Sequence, residues 1–222
     1  MTADEPEIVA LALRRRSVRS HYLRRPVPRP VLSQILRCGL AAPASKGAHP
    51  WRFTVVEGAE RLEAIADDVA SAPGGEAYTP HDPATGSARP AWSSTVQESA
   101  DVLRTVPAAI FVENLGPFSG GRQALLGAPP KARALAIVGY ELELAGLGAA
   151  IQSMWLAAVG FGLSAVFMGD VAVAEPAIAR RLGLTGDLLG ALALGYATVA
   201  DEPPRQVPTL DAAHVRWDDD VS

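Results

Sequence analysis

Apolar residues recur along this chain at helical spacing in some stretches and in alternating or near-continuous runs in others. The change of period marks out its elements. Residues 6–16 read as an opening helix, with Ile8, Val9, Leu11, Ala12 and Leu13 on its apolar side. Arg14, Arg15 and Arg16 crowd its C-terminal end, where the helix dipole favours cations. Pro26, Pro28 and Pro30 force an extended connector. Pro30 suits the first turn of a second helix that runs to Ala41 with Val31, Ile35 and Leu36 inward. Pro43–Pro50 reads as a loop, Trp51–Glu57 as an alternating β-rich strand, and Arg61–Ala70 as a helix.

Residues 71–95 are rich in Gly, Pro, Ser, Thr and Ala and form a long irregular excursion of the kind that serves as a functional lid or is disordered. Val106–Glu113 is nearly continuous in apolar residues, which predicts a central strand buried on both faces. Residues 114–131 form a second Gly/Pro-rich excursion. Then come a long helix at Ala132–Phe161, a short strand at Ser164–Gly169, a helix at Pro176–Leu182 and a strand at Leu188–Thr198. Pro203–Ser222 is an extended tail ending in Asp218, Asp219 and Asp220. No internal repeat is visible. This order predicts an α+β layout around one sheet. The tail has no evident partner within the chain, and exchange in a dimer would supply one.

Composition narrows the function classes. The chain has 222 residues, 49% of them hydrophobic and 20% charged, which is globular rather than disordered. A net charge of -4 argues against a general nucleic-acid binder. The single cysteine, Cys38, excludes an internal disulfide and is expected as a small buried apolar residue. No histidine lies near it to suggest a thiol nucleophile or a zinc site, and no metal site is expected. Leu142–Phe167 is the most apolar stretch, but Gly146, Gly148, Gln152, Ser153, Gly160 and Gly162 interrupt it. It is expected as a core helix followed by a strand rather than a membrane span. Asp4, Glu5 and Glu7 leave no apolar run for a signal peptide, so the expected location is cytoplasmic.

Two constellations carry candidate chemistry. Arg14-Arg15-Arg16-Ser17-Val18-Arg19 makes a compact anion receptor: guanidinium forks suit phosphate oxygens and Ser17 adds a neutral donor. Alone, the run would also suit a solvated basic helix end. The second is Ala42-Pro43-Ala44-Ser45-Lys46-Gly47-Ala48-His49-Pro50-Trp51. Pro43 and Pro50 stiffen it, Gly47 lets backbone approach a flat ligand, and Ser45 and Lys46 offer donors to an electron-rich ring edge. An ordinary turn is the alternative.

Together these segments resemble the nitroreductase family. The resemblance rests on an Arg-Arg-Ser-x-Arg helix end, a Pro-x-Pro connector, a short helix, and Ala-Pro-x-Ser-x-x-x-x-Pro-Trp entering a strand, and it covers residues 8–57 throughout. Gly148–Ala158 resembles the family's central helix. Gly160-Phe161-Gly162-Leu163 and the strand ending at Met168-Gly169 follow it, and Pro203-Pro204-Arg205 resembles its closing segment. The resemblance covers both ends of the chain but not residues 70–131. It implies a single FMN-binding domain over residues 1–222, with a mainly antiparallel sheet flanked by helices, a C-terminal tail exchanged in a homodimer, and variable cleft excursions within residues 71–131. It also implies FMN at the subunit interface, reduced by NAD(P)H. The reduced flavin would pass electrons to a nitroaromatic, quinone or similar small-molecule substrate in a ping-pong cycle.

Site roles carry over in the same way. Arg15, Ser17 and Arg19, with Arg16 beside them, resemble the positions that hold the phosphate, ribityl chain and pyrimidine side of FMN. Arg205 resembles the late basic residue that returns to the phosphate. Pro43, Ala44, Ser45 and Gly47 resemble the loop that a second subunit lays against the flavin. Met168 and Gly169 resemble the strand end whose backbone meets the ring near N5, where a donor stabilises the charge that reduction creates. No protein catalytic residue is implied beyond His49, a candidate proton donor.

The chain departs from the family at Gly47, where Asn is usual, and at His49, where Gln is usual. Gln206 and Val207 stand where a second late basic residue often follows. These departures leave two other readings open: an FMN-dependent oxidase or dehydrogenase of a peptide or small metabolite using oxygen, and a non-catalytic flavin-binding protein. Gly120-Gly121-Arg122 is not a dinucleotide fingerprint, because no strand–turn–helix unit surrounds it. His21 and His81 are expected on the surface, and Trp92, Trp155 and Trp217 in the core or an interface.

Overall fold

The computed structural model describes residues 6–75, 78–89, 92–198 and 214–215. Among the described residues, seven α-helices and four strands follow one another as α1 (Glu7–Arg14), α2 (Arg29–Leu40), β1 (Trp51–Glu57), α3 (Ala59–Ala70), α4 (Val96–Thr105), β2 (Ala108–Asn114), α5 (Arg122–Gly127), α6 (Pro130–Gly160), β3 (Ser164–Met168), α7 (Glu175–Leu182) and β4 (Asp187–Gly195). The strands form one antiparallel sheet in the order β1-β2-β4-β3. This is the α+β architecture expected from the sequence.

Alternation along the strands builds two cores, one on each face of the sheet. Ala109 and Phe111 of β2 face a layer made by α3, α4 and α7, with Leu62, Ile65, Leu103 and Ile178 among its contacts. Ala108, Ile110 and Val112 face the opposite layer of α2 and α6, with Leu32, Ile35, Leu147 and Met154. Every residue of β2 is buried, as a central strand requires.

Helix α6 changes character along its 31 residues. Its C-terminal half buries Leu147, Ala150, Ile151, Met154, Trp155 and Ala158. Its N-terminal half exposes Leu135, Ile137, Val138 and Leu142. It is the one helix among the described residues long and apolar enough to cross a membrane.

Several expectations need correction. Residues 96–105 carry no element in the sequence reading, yet they form α4, which buries Val96, Ser99, Ala100, Val102 and Leu103. Helix α5 interrupts the 114–131 excursion. The opening helix ends at Arg14, because Arg15 turns extended and leads Ser17 and Val18 onto the edge of β3. Cys38 is exposed, since Ile35 and Gly39 take the inward positions of α2. Trp92 is 63% exposed within the chain and belongs to neither core, whereas Trp155 is buried. His21 and His81 are exposed, as expected.

Candidate functional site

The basic segment lies along the outer edge of β3. Ser17 bridges Ala165 in parallel, and the Val18 N–H donates to the Ala165 carbonyl at 3.1 Å. The Arg15 guanidinium stacks on the Trp155 ring, 4.3 Å from its centroid. Arg15 and Arg16 are half-buried, while Ser17 and Arg19 are exposed. The Tyr22 hydroxyl donates to the Val18 carbonyl at 2.7 Å and closes the turn that carries Arg19. Burial pushes that hydroxyl's pKa well above its ordinary range, against the lowering effect of Arg19, so it stays a neutral donor.

Beside this segment β3 ends at Met168, which is buried, and Gly169, which is exposed. The neighbouring strand has a β-bulge here: Val112 pairs with Gly190 and Glu113 with Leu188, so Leu189 is the extra residue. Gly190 is required by the close approach. A Cβ there would lie 2.5 Å from the Met168 carbonyl oxygen and 3.0 Å from the Gly169 Cα. Asp170 continues the turn, and its two carboxylate oxygens accept from the Thr95 and Ser99 hydroxyls of α4, each at 2.7 Å. Glu98 on the same helix pairs with Arg19 at 3.3 Å. The structure therefore brings Arg15, Arg16, Ser17 and Arg19 together with Met168 and Gly169 at one sheet edge.

Pro43, Ala44, Ser45 and Gly47 lie elsewhere. They enter β1 at the opposite edge, roughly 14 Å away across three strand spacings. Along α6 the loop backs onto Gly146, where a Cβ would be 3.5 Å from the Pro43 carbonyl, whereas Arg15 backs onto Trp155 nine residues on, about 13 Å further along the helix axis. The loop's backbone is tightly wound: Lys46, Gly47 and His49 have φ of 51°, 66° and 45°. Exposed His49 meets Trp51 edge-on, with ring centroids 5.4 Å apart. Arg205 lies outside the described residues.

The ends of β1, β2 and β4 near Trp51, Asn114 and Asp187 share the Met168 end of the sheet. A carboxylate walls this end. Glu143 of α6 is fully buried and accepts from the Asn114 amide at 2.8 Å, the Phe118 and Ser119 N–H groups at 2.7 and 2.9 Å, and the Ser119 hydroxyl at 2.7 Å. Burial raises its pKa, but these donors outweigh burial and hold it below the ordinary glutamate value. Arg122 of α5 pairs with Glu175 and Asp187, tying that helix to the same end. No group of metal-ligating side chains occurs among the described residues.

The sequence profile of the Nitroreductase family matches residues 12–196. The chain belongs to the nitroreductase family. No match was found among curated proteins. Solved structures with the same fold include a variant of the FMN- and NADPH-dependent nitroreductase NfnB from Sphigopyxis sp. strain HMH. It is 25% identical, the match covers 95% of this chain and 98% of that one, and the TM-score is 0.67. The nitroreductase-like family protein from Bacillus cereus is 22% identical over 94% of each chain, with TM-score 0.62. The NADPH:FMN oxidoreductase from Vibrio harveyi, complexed with NAD+, is 16% identical over 96% of this chain and 77% of that one, with TM-score 0.64.

The sequence reading missed α4 and Glu143. The spacing of Val96, Ala100 and Leu103 behind Thr95 is a helix signal that the adjoining Gly/Pro-rich stretch obscured. A lone glutamate in an apolar helix such as α6 is itself a sign of a buried, partnered group.

Proposed function

We propose that this chain is an FMN-dependent oxidoreductase that acts as a homodimer on small molecules. The observation that carries the reading is the convergence of Arg15, Ser17 and Arg19 with the Met168–Gly169 strand end at one edge of the sheet. The donor set fits FMN. Guanidinium groups and a hydroxyl suit a phosphate dianion, and the Gly190 bulge leaves strand-end backbone close to them. Arg15, Arg16, Ser17 and Arg19 would bind the phosphate, the ribityl chain and the pyrimidine side of the ring, with Arg205 as a further cation at the phosphate. Met168 and Gly169 would present backbone to the ring. When bound, FMN supplies the redox chemistry, taking two electrons from NAD(P)H and passing them to a nitroaromatic, quinone or similar acceptor in a ping-pong cycle.

The homodimer accounts for the loop. Pro43, Ala44, Ser45 and Gly47 lie too far from the basic segment of their own chain to share its ligand, so they would close the partner's site. Exposed Ile8, Val9 and Leu13 on α1, with Leu135, Ile137, Val138 and Leu142 on α6, supply an apolar face for that contact. On this reading residues 1–222 act as one domain whose tail crosses to the partner. His49 stands on the same loop as a candidate proton donor.

The test is an anaerobic absorbance titration of the FMN-loaded protein with NADH and then NADPH. Bleaching of the flavin bands within seconds supports the reading and identifies the donor. A flavin that stays oxidised with both, but is bleached by an oxidisable metabolite, points instead to an oxygen-using dehydrogenase.

A further inference from the structure

Helix α4 joins the two segments of the candidate site, and three of its polar residues do so from adjoining turns. Thr95 and Ser99 hold both oxygens of Asp170, the residue after Met168–Gly169, and Ser99 is buried at 5% exposure. Between them Glu98 reaches the other way and pairs with the Nε of Arg19 at 3.3 Å. The side chains of Arg19 and Glu98 are 45% and 50% exposed. The helix is anchored behind by Val96, Ala100 and Leu103, all in the core. Its polar face is therefore held in place, and Glu98 with it.

A carboxylate beside a cation meant for an electron-rich or anionic ligand is at first sight a poor arrangement, because it repels that ligand. The geometry resolves this. Glu98 meets Arg19 at Nε, the inner edge of the guanidinium, and the two terminal nitrogens lie beyond that contact. An arginine on an exposed turn has many rotamers, and fixing one of them before binding removes an ordering penalty. We propose that Glu98 is a positioning residue of the cofactor site: it orients Arg19 toward the flavin, and Asp170 fixes α4 so that Glu98 stands where it must. This inference rests on the FMN reading above.

The experiment compares wild type with Glu98→Ala and Glu98→Gln in the full-length protein. FMN affinity is measured by fluorescence titration, the flavin midpoint potential by dye-coupled reduction, and apoprotein melting serves as the folding control. Glu98→Ala weakens FMN binding roughly two- to fivefold, the range of an exposed ion pair. Glu98→Gln, which keeps an oxygen against Nε, recovers most of the lost affinity. Glu98→Ala and Glu98→Gln lose the same negative charge, so the difference between them reports the orientation of Arg19: the midpoint potential is lower in the Ala variant, because a loosely held cation stabilises the reduced, more anionic flavin less. Apoprotein melting is unchanged in either variant. FMN binding equal to or tighter than wild type in Glu98→Ala overturns the proposal, as does a Gln variant no better than the Ala variant. Weakened binding in the Ala variant with a midpoint potential equal to that of the Gln variant traces the loss to helix packing and also overturns it. A wild-type protein that does not bind FMN at all refutes the functional reading itself, which keeps the two failures apart.

Discussion

Trp155, near the C-terminal end of the long helix α6, lies under Arg15 with 4.3 Å between the guanidinium carbon and the ring centroid. The ring fixes the plane of the guanidinium, which in turn sets the direction of its donors. Arg15 turns away from α1 at that point, so the stacking also marks where helix gives way to the strand-edge segment. Arg15→Ala is expected to weaken FMN binding about 10- to 100-fold, the loss for charge-assisted hydrogen bonds to phosphate. Ser17→Ala should lose less, since a neutral donor is removed. Fluorescence titration of FMN checks both, and affinity unchanged in both variants would sink the site assignment.

The pieces of the candidate site were legible because short-range rules govern them. The arginine run, the two prolines flanking residues 44–49 and the Met168–Gly169 strand end are local patterns, and the structure holds each as a recognisable unit. Their arrangement was not legible. Only the strand order β1-β2-β4-β3 puts residues 43–50 at one edge and residues 15–19 at the other. Helix α4 escaped because it follows a Gly/Pro-rich stretch, and its polar residues act on Arg19 and Asp170, which are remote in sequence. Exposure of Cys38 was equally invisible, because the decision between facing in and out was made by Gly39 next to it.

Glu143 offers a test of stability. Four donors converge on its carboxylate inside the protein. Replacing it with Gln turns an acceptor into a donor that faces donors, and we expect a loss of about 2–4 kcal/mol. For a chain of this size that is roughly 4–16 °C in melting temperature. The pH dependence has a definite sign. The folded carboxyl titrates below its unfolded value, so its stabilisation is present above about pH 4.3 and fades as pH falls through the lower folded value. Urea midpoints of wild type and Glu143→Gln should therefore converge in acid. A constant gap from pH 7 to pH 3 would contradict this.

Gly190 should not tolerate a side chain. The Cβ of Gly190→Ala would meet the Met168 carbonyl at 2.5 Å and the Phe167 ring at 2.6 Å, so the end of β3 must move. A destabilisation of about 1–3 kcal/mol is expected from overpacking, together with weaker FMN binding. Calorimetry and FMN titration on one preparation check both, and retained affinity despite lost stability would separate the bulge from the cofactor site.

Gly47 should behave in the opposite way. Its φ of 66° is a left-handed conformation that Asn also adopts, and a Cβ there finds no atom within 4 Å. Gly47→Asn should change stability by no more than about 0.5 kcal/mol, while Gly47→Val should cost more, because β-branched residues resist this conformation. Asn at this position restores the residue usual in the family, so the flavin absorbance bands should shift in that variant. Equal melting of the Asn and Val variants would show that the loop adopts another backbone in solution.

The last prediction concerns assembly. Leu135, Val138 and Leu142 recur at intervals of three and four along α6, so they share one face, and they are 78%, 51% and 44% exposed in the single chain. Such a stripe on a helix whose other half is core is costly to leave in water. If a second copy covers it, Leu135→Asp with Val138→Asp should convert a dimer to a monomer in sedimentation velocity. FMN affinity should fall in the same variant although neither residue belongs to the arginine segment, because the monomer lacks the partner's Pro43–Gly47 loop. A monomeric variant that binds FMN as tightly as wild type would mean that residues 15–19 and 168–169 suffice for the cofactor. The 43–47 loop would then have to serve the acceptor instead.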